Sequence, residues 1–121
     1  MGHNPTGYVL SLERRKEIYA VCSKYDVIIV EDDPYWYLQF PSAEAEEAKS
    51  RNLPVPVQAK NTNTPVKSSG YPFLDSLAPS FLRIDVDGRV VRLDTFSKTV
   101  APGCRLGFVT AQPDLIERIT R

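Results

Sequence analysis

Val90-Val91-Arg92-Leu93-Asp94-Thr95-Phe96-Ser97-Lys98 is the stretch whose reading decides the fold. Its first five residues read as a buried strand, so Thr95 to Lys98 fall at that strand's carboxyl end, where open α/β sheets present side chains to ligands. Arg105 follows within Ala101-Pro102-Gly103-Cys104-Arg105-Leu106-Gly107-Phe108. A partly desolvated lysine loses proton affinity, and its neutral amine can then attack an aldehyde to form a Schiff base. The Thr95 and Ser97 hydroxyls and the planar Arg105 guanidinium suit a phosphate beside it. Taken alone, a lysine near a serine is more often a solvated charge. Two other segments change that balance.

The first is His3-Asn4-Pro5-Thr6-Gly7, a turn written in residues that fix φ or permit positive φ. A helix is expected after it, with Ser11 as N-cap, Glu13 in the first turn, and Leu12, Ile18, Cys22 and Tyr25 recurring at near-helical spacing. The second is Val27-Ile28-Ile29-Val30-Glu31-Asp32-Asp33-Pro34-Tyr35, an apolar run ending in three acids, as in a strand buried on both faces and stopped by Pro34. Carboxylates at such an end face either solvent or a cationic ligand. A protonated pyridine nitrogen is one such ligand, and an anion beside it holds the ring in its electron-withdrawing form. An aldehyde, a phosphate and a pyridinium together describe pyridoxal phosphate.

The order Asn-Pro-Thr-Gly, Asp-x-x-Tyr, Ser-Lys, then Arg resembles the class I and II aminotransferases, over nearly all of this chain. The resemblance implies a fold class of α/β, with residues 1–121 forming part of the large, mostly parallel-sheet domain that binds pyridoxal 5'-phosphate. It implies that Lys98 is the catalytic lysine that holds the cofactor and shuttles the proton. Asp32 matches the partner of the pyridine nitrogen, and Asn4 and Tyr35 match the residues that hydrogen-bond the phenolic oxygen. Thr95, Ser97 and Arg105 match the phosphate cup, with Thr95 where many relatives carry serine. The run Glu31 to Phe40 and the long segment from Pro41 to Pro79 resemble the aromatic and 2-aminoadipate (kynurenine-type) branch, especially the fungal aromatic amino acid aminotransferases. Tyr35-Trp36-Tyr37 could equally be aromatic packing.

Transamination of aromatic amino acids or 2-aminoadipate with a 2-oxo acid, by a homodimer, is what this resemblance implies, and the composition is that expected of a cytoplasmic protein. Family members are several times longer than 121 residues, so the chain is expected to be a fragment. The arginine that grips the substrate carboxylate and the upstream phosphate-binding loop have no counterpart in it. Two other functions stay open: an aminotransferase-like sensor domain of a transcription regulator, which binds the cofactor without turnover, and a catalytically inert piece.

Composition narrows the partners. Lys plus Arg and Asp plus Glu stand at 15 each, for a formal net charge of zero, which argues against generic nucleic-acid binding. No apolar stretch approaches bilayer length and no signal-peptide core opens the chain, so no membrane partner is expected. Cys22 and Cys104 form neither a disulfide framework nor a metal spacing, and His3 has no second ligand near it in sequence, so no metal site is expected. Cys22 reads as a helix-face packer and Cys104 as filling for a tight loop.

One interruption breaks the pattern between residues 41 and 79. A short helix is expected over Ala43 to Lys49, and Asn61 to Gly70 is polar and turn-forming, which reads as a mobile surface loop that could border substrate access. Beyond it, Leu82 to Val86 alternates, Asp87-Gly88 reads as a hairpin turn, and Arg89 to Leu93 returns toward Lys98. A last helix is expected from Pro113-Asp114 onward, with Leu115, Ile116 and Ile119 on one face and its end beyond Arg121.

Overall fold

The computed structural model describes residues 2–39, 41–54 and 68–121. Helix α1 (Leu12–Lys24) starts where expected: the Ser11 side chain accepts a hydrogen bond from the Arg14 amide at 3.2 Å, and Glu13 lies in the first turn, near the positive end of the helix dipole. Its inward face differs from the expectation. Leu12, Arg15 and Tyr19 are buried, Ile18 and Cys22 are half-buried, and Tyr25 is exposed as the C-cap. Two polar heads go inside because acceptors wait for them. Arg15 donates to the Pro79 carbonyl at 2.6 Å, and the Tyr19 hydroxyl reaches the Asp85 carboxylate at 2.8 Å.

Strand β1 (Ile29–Asp32) sits two residues later than the apolar run that announced it. It is also buried on one face rather than two: Glu31 is inside, while Val27, Ile28 and Val30 are exposed. The register explains the shift, because the strand begins where Ile29 finds Val90. Helix α2 (Pro41–Ser50) contains the expected helical stretch and buries Ala48. A second short helix, α3 (Pro72–Ser76), was not expected. Within the interruption at 41–79, residues 55–67 lie outside the described residues, and with them positions 61–67 of the tract read as a mobile loop.

The expected hairpin is absent, and this corrects the reading of residues 82–93. Phe81–Ile84 forms helix α4, capped by the Ser80 side chain, which accepts from the Arg83 amide at 3.2 Å. The Asp85 carboxylate then gathers the amides of Gly88, Arg89 and Val90 at 2.9, 3.2 and 3.0 Å. These caps win over the alternating pattern, since local side-chain to backbone bonds offer the chain a route other than a strand. Asp87-Gly88 is still a turn, with Gly88 at φ 76, but it leads from a helix into β2 (Val90–Thr95).

β2 is the central strand of three. It runs parallel to β1, with Glu31 opposite Arg92 and Asp32 opposite Leu93. It runs antiparallel to β3 (Gly107–Thr110), with Thr95 opposite Gly107. Val90 is fully buried and Val91 nearly so. Helix α4 lies against β2 and α1 against α4, which makes one helical layer over one sheet face. Helix α5 (Pro113–Thr120) starts at the expected Pro-Asp pair, with Leu115 and Ile116 half-buried and Ile119 exposed. Among the described residues no helix is long and apolar enough to cross a membrane.

At the amino end of β2, Tyr19 organises a polar node. Its hydroxyl meets the carboxylates of Asp85 and Asp87 and accepts from the amides of Val86 and Asp87 at 2.9 and 3.1 Å. Arg89 grips both oxygens of Asp87 at 2.9 Å. Hydrogen bonding from Arg89, then from Tyr19, holds the Asp87 carboxyl far below the usual carboxylate range. For Asp85, partial burial pushes upward, but bonds from Tyr19 and the amides of Val90, Arg89 and Gly88 outweigh it and lower its pKa.

Candidate active site

Parallel pairing decides what meets at the upper end of the sheet. Because β1 and β2 run the same way, Asp32 at the end of β1 and Thr95, Ser97 and Lys98 at and beyond the end of β2 share one edge. Because β3 runs back, the residues that precede it, including Arg105, reach the same edge. The sheet thus gathers five of the seven residues singled out in the sequence at its carboxyl end. Tyr35 joins them through the turn that follows β1. Successive strand residues face opposite sides, so Asp32, Leu93 and Thr95 share one face while Glu31, Arg92 and Asp94 share the other.

Lys98 lies with its ammonium nitrogen 5.6 Å from the centre of the Tyr35 ring, within cation–π range. The Thr95 hydroxyl stands 2.9 Å from the Ser97 hydroxyl and 3.3 Å from the Leu106 carbonyl, and it accepts from the Ser97 amide at 3.1 Å. The loop bearing Lys98 is closed by its backbone. The Phe96 amide donates to Leu106 at 3.1 Å, and the amide of Val100 returns to the Phe96 carbonyl at 2.9 Å. Phe96 and Phe108 pack beneath it with ring centres 5.9 Å apart. Gly107 is needed here, since a Cβ at this position would come 2.7 Å from the Asp94 carbonyl oxygen.

Arg105 does not point to the two hydroxyls. It closes a 3-10 turn (Pro102–Cys104) in a left-handed conformation, φ 49, and its guanidinium donates to the Pro102 carbonyl at 3.2 Å. Cys104 beside it is exposed.

Asn4 sits in the expected turn, where the His3 amide donates to the Tyr8 carbonyl at 3.0 Å, the His3 ring meets the Thr6 hydroxyl at 2.8 Å, and Gly7 takes φ 70. His3 is an exposed loop residue. A cleft of about 560 Å³ is lined by Asn4, Asp32 and Tyr35, together with Tyr8 and Phe81. Lys98, Thr95, Ser97 and Arg105 are not among its walls, and Lys98 is joined to it through the Tyr35 ring. Among the described residues no group of His, Cys, Asp or Glu gathers to hold a metal ion.

Two of the cleft's walls, Arg15 and Glu31, belong to a feature that sequence reasoning missed. Arg15, Glu31, Arg92 and Asp94 form a buried network of two cations and two anions, each side chain less than a tenth exposed. Asp94 holds Arg92 with two bonds, Nε to Oδ2 at 2.8 Å and Nη2 to Oδ1 at 3.0 Å. Arg92 Nη1 reaches Glu31 at 3.3 Å, and Arg15 stands 3.8 Å from the other Glu31 oxygen. Glu31 also accepts from the Phe81 and Leu82 amides at 2.8 and 3.4 Å. Burial lowers the Arg15 pKa, with Glu31 opposing it. For Arg92, burial pulls the same way, but Asp94 and Glu31 prevail and raise it. The Arg92 guanidinium carbon also lies 4.8 Å from the centre of the Trp36 ring, whose Nε1 donates to the Ala78 carbonyl at 2.8 Å. The available sequence signal was Arg92-x-Asp94 on one face of an otherwise apolar strand.

The chain belongs to the aminotransferase class I and II family, which matches residues 2–121. It is 49% identical over 117 residues to an aromatic amino acid aminotransferase of Schizosaccharomyces pombe, covering 97% of this chain and 22% of that protein. The crystal structure of the aminotransferase Aro8 from Candida albicans superposes with a TM-score of 0.73 at 46% identity, over 98% of this chain and 22% of the other. A kynurenine aminotransferase from Pyrococcus horikoshii, solved in complex with PMP, KYN and KYA, has a TM-score of 0.65 at 30% identity, over 98% and 21% of the two chains. The chain thus spans about a fifth of the length of these relatives. The α/β architecture expected from the strand and motif pattern is the one observed.

Proposed function

We propose that residues 1–121 are part of the pyridoxal-phosphate-binding large domain of an aminotransferase that moves an amino group from an aromatic amino acid or 2-aminoadipate to a 2-oxo acid. The observation that carries this reading is the convergence at the carboxyl end of β1 and β2, where the Lys98 ammonium meets the Tyr35 ring beside Asp32. The similarity to named aromatic and kynurenine aminotransferases supports the substrate class.

The donor set fits the cofactor. Among the described residues the Asn4 amide, the Asp32 carboxylate, the Tyr35 hydroxyl and the Lys98 ammonium make no hydrogen bond or ion pair, although three of these residues border or touch one cleft sized for a small ligand. Asp32 offers an anion to a pyridine nitrogen, and Asn4 and Tyr35 offer donors to a phenolic oxygen. Thr95, Ser97 and Arg105 supply hydroxyl and guanidinium donors to a phosphate once Arg105 turns from its contact with Pro102. When bound, the cofactor withdraws electrons from the substrate's α-carbon and carries the amino group between substrates. The Lys98 side chain, as the neutral amine, would take the proton from that carbon, and the anchoring residues would keep the reacting bond aligned. That the protein acts as a homodimer is what the family resemblance implies.

The test is to mix the purified protein with pyridoxal phosphate, reduce with borohydride, and locate the modified lysine by peptide mass spectrometry. Selective labelling of Lys98, lost in Lys98→Ala, is the expected result. Labelling scattered over other lysines would overturn the assignment.

A further inference from the structure

We propose that Arg92 is a positioning residue that aligns the two motifs of the site from the opposite face of the sheet. The inference rests on the functional reading above. Arg92 touches all three elements which deliver the site. Its own strand, β2, leads into Thr95, Ser97 and Lys98. Its contact with Glu31 fixes the residue next to Asp32. Its guanidinium carbon lies over the ring of Trp36, the residue next to Tyr35.

The geometry calls for a guanidinium. Asp94 takes two bonds from Arg92, which sets the plane of the group, while its central carbon lies 4.8 Å from the centre of the indole ring and Nη1 remains free for Glu31. An ammonium offers one charge centre, no plane and no paired grip. The turn that Arg92 holds is anchored at its far side as well. Trp36 Nε1 donates to the Ala78 carbonyl, and Gln39 spans the gap by donating to the Trp36 carbonyl at 2.6 Å and accepting from the Ala78 amide at 3.2 Å. Within the turn, the Leu38 amide donates to the Tyr35 carbonyl at 2.9 Å. Tyr35 is therefore placed by a turn that Arg92 supports through Trp36. Arg89, on the same strand lead, pairs with Asp87 and Asp26 at the other end of the sheet and supports no site residue.

Arg92→Lys and Asp94→Asn are compared with Arg89→Lys in two measurements. Without cofactor, hydrogen exchange read by peptide mass spectrometry should quicken over residues 33–39 in R92K and D94N, and stay at the wild-type rate there in R89K. With cofactor, the pH midpoint of its visible absorption should rise by about half a unit or more in R92K, because losing one well-placed donor at the phenolic oxygen favours the protonated form by that order. R89K should leave the midpoint unchanged. If the wild type traps cofactor at Lys98 and R92K matches it in both measurements, the inference falls while the functional reading stands. If the wild type traps none at Lys98, the functional reading falls and takes the inference with it. If R92K and D94N both fail to fold while R89K folds, Arg92 holds the fold rather than the site, and the inference is overturned.

Discussion

Removing one charge from the buried network gives the sharpest test of its energetics, and Glu31→Gln is the smallest change that does so. Glu31 and Asp94 balance Arg15 and Arg92, all four side chains being less than a tenth exposed. With glutamine at 31, two buried guanidiniums face one carboxylate. The new amide also presents hydrogens where Arg92, or the Phe81 and Leu82 amides, already donate, so at least one buried donor loses its acceptor. Breaking a buried pair by removing one partner costs about 3–5 kcal/mol. At a urea dependence of about 1.5 kcal/mol per M, the lower figure moves the unfolding midpoint down by about 2 M. Urea titration followed by far-UV circular dichroism measures that shift. Two companions sharpen the result. Glu17→Gln, which breaks the exposed Arg14–Glu17 pair, should leave the midpoint where it was. Adding Arg15→Met to E31Q restores one cation to one anion and should recover part of the loss. A fall under about 0.5 M in E31Q, or no gain from the second substitution, would refute the reasoning that the four charges act as one buried unit.

Gly107→Ala places a methyl group against the Asp94 carbonyl oxygen, where the ideal Cβ position is only 2.7 Å away, and backbone cannot swing aside as a side chain can. We expect a loss of about 1–3 kcal/mol in the same titration, with cofactor trapping at Lys98 weakened further because β3 must part from β2 at Thr95. Acid should find the opposite end of the sheet. Asp85 and Asp87 both have folded pKa values below the unfolded carboxylate range near 4, so their stabilisation is present above that range and fades as pH falls through their folded values. Thermal melts between about pH 5 and pH 2 should show this fade, and Asp87→Asn should give a shallower pH dependence; an identical slope would remove Asp87 from the account.

What the sequence disclosed and what it concealed follow a physical division. The Ser11 cap, the start of α5, the turn at Asn4 to Gly7 and the strand ending before Ser97-Lys98 all depend on residues within a few positions of one another. Local chemistry writes them plainly. The alternation of Leu82 to Val86 was misleading because two distant or unobvious acceptors overruled it: Ser80 caps α4, and the Glu31 carboxylate takes the first amides of that helix. The start of β1 was displaced because only the register against Val90 defines it. Arg15, Glu31, Arg92 and Asp94 are residue types that sequence statistics place on the surface. Nothing before the parallel pairing of β1 with β2 brings Glu31 opposite Arg92.

That pairing also explains why the motif residues and the hidden charges come in adjacent positions. Strand alternation sends Asp32 to one face and Glu31 to the other, Thr95 to one and Asp94 to the other. The face with Glu31, Arg92 and Asp94 has its charges mutually satisfied and covered by α1 and α4. The face with Asp32 carries a carboxylate that makes no ion pair among the described residues, beside exposed Val30. A chain needing only a stable sheet would gain more from apolar residues than from a buried ion network, since replacing such networks with well-packed hydrophobic groups is often neutral or stabilising. What the network supplies instead is direction. The paired bonds from Arg92 to Asp94, a third to Glu31 and the cation–π contact with Trp36 constrain direction as well as distance, and a site that must hold a reacting bond in line requires direction.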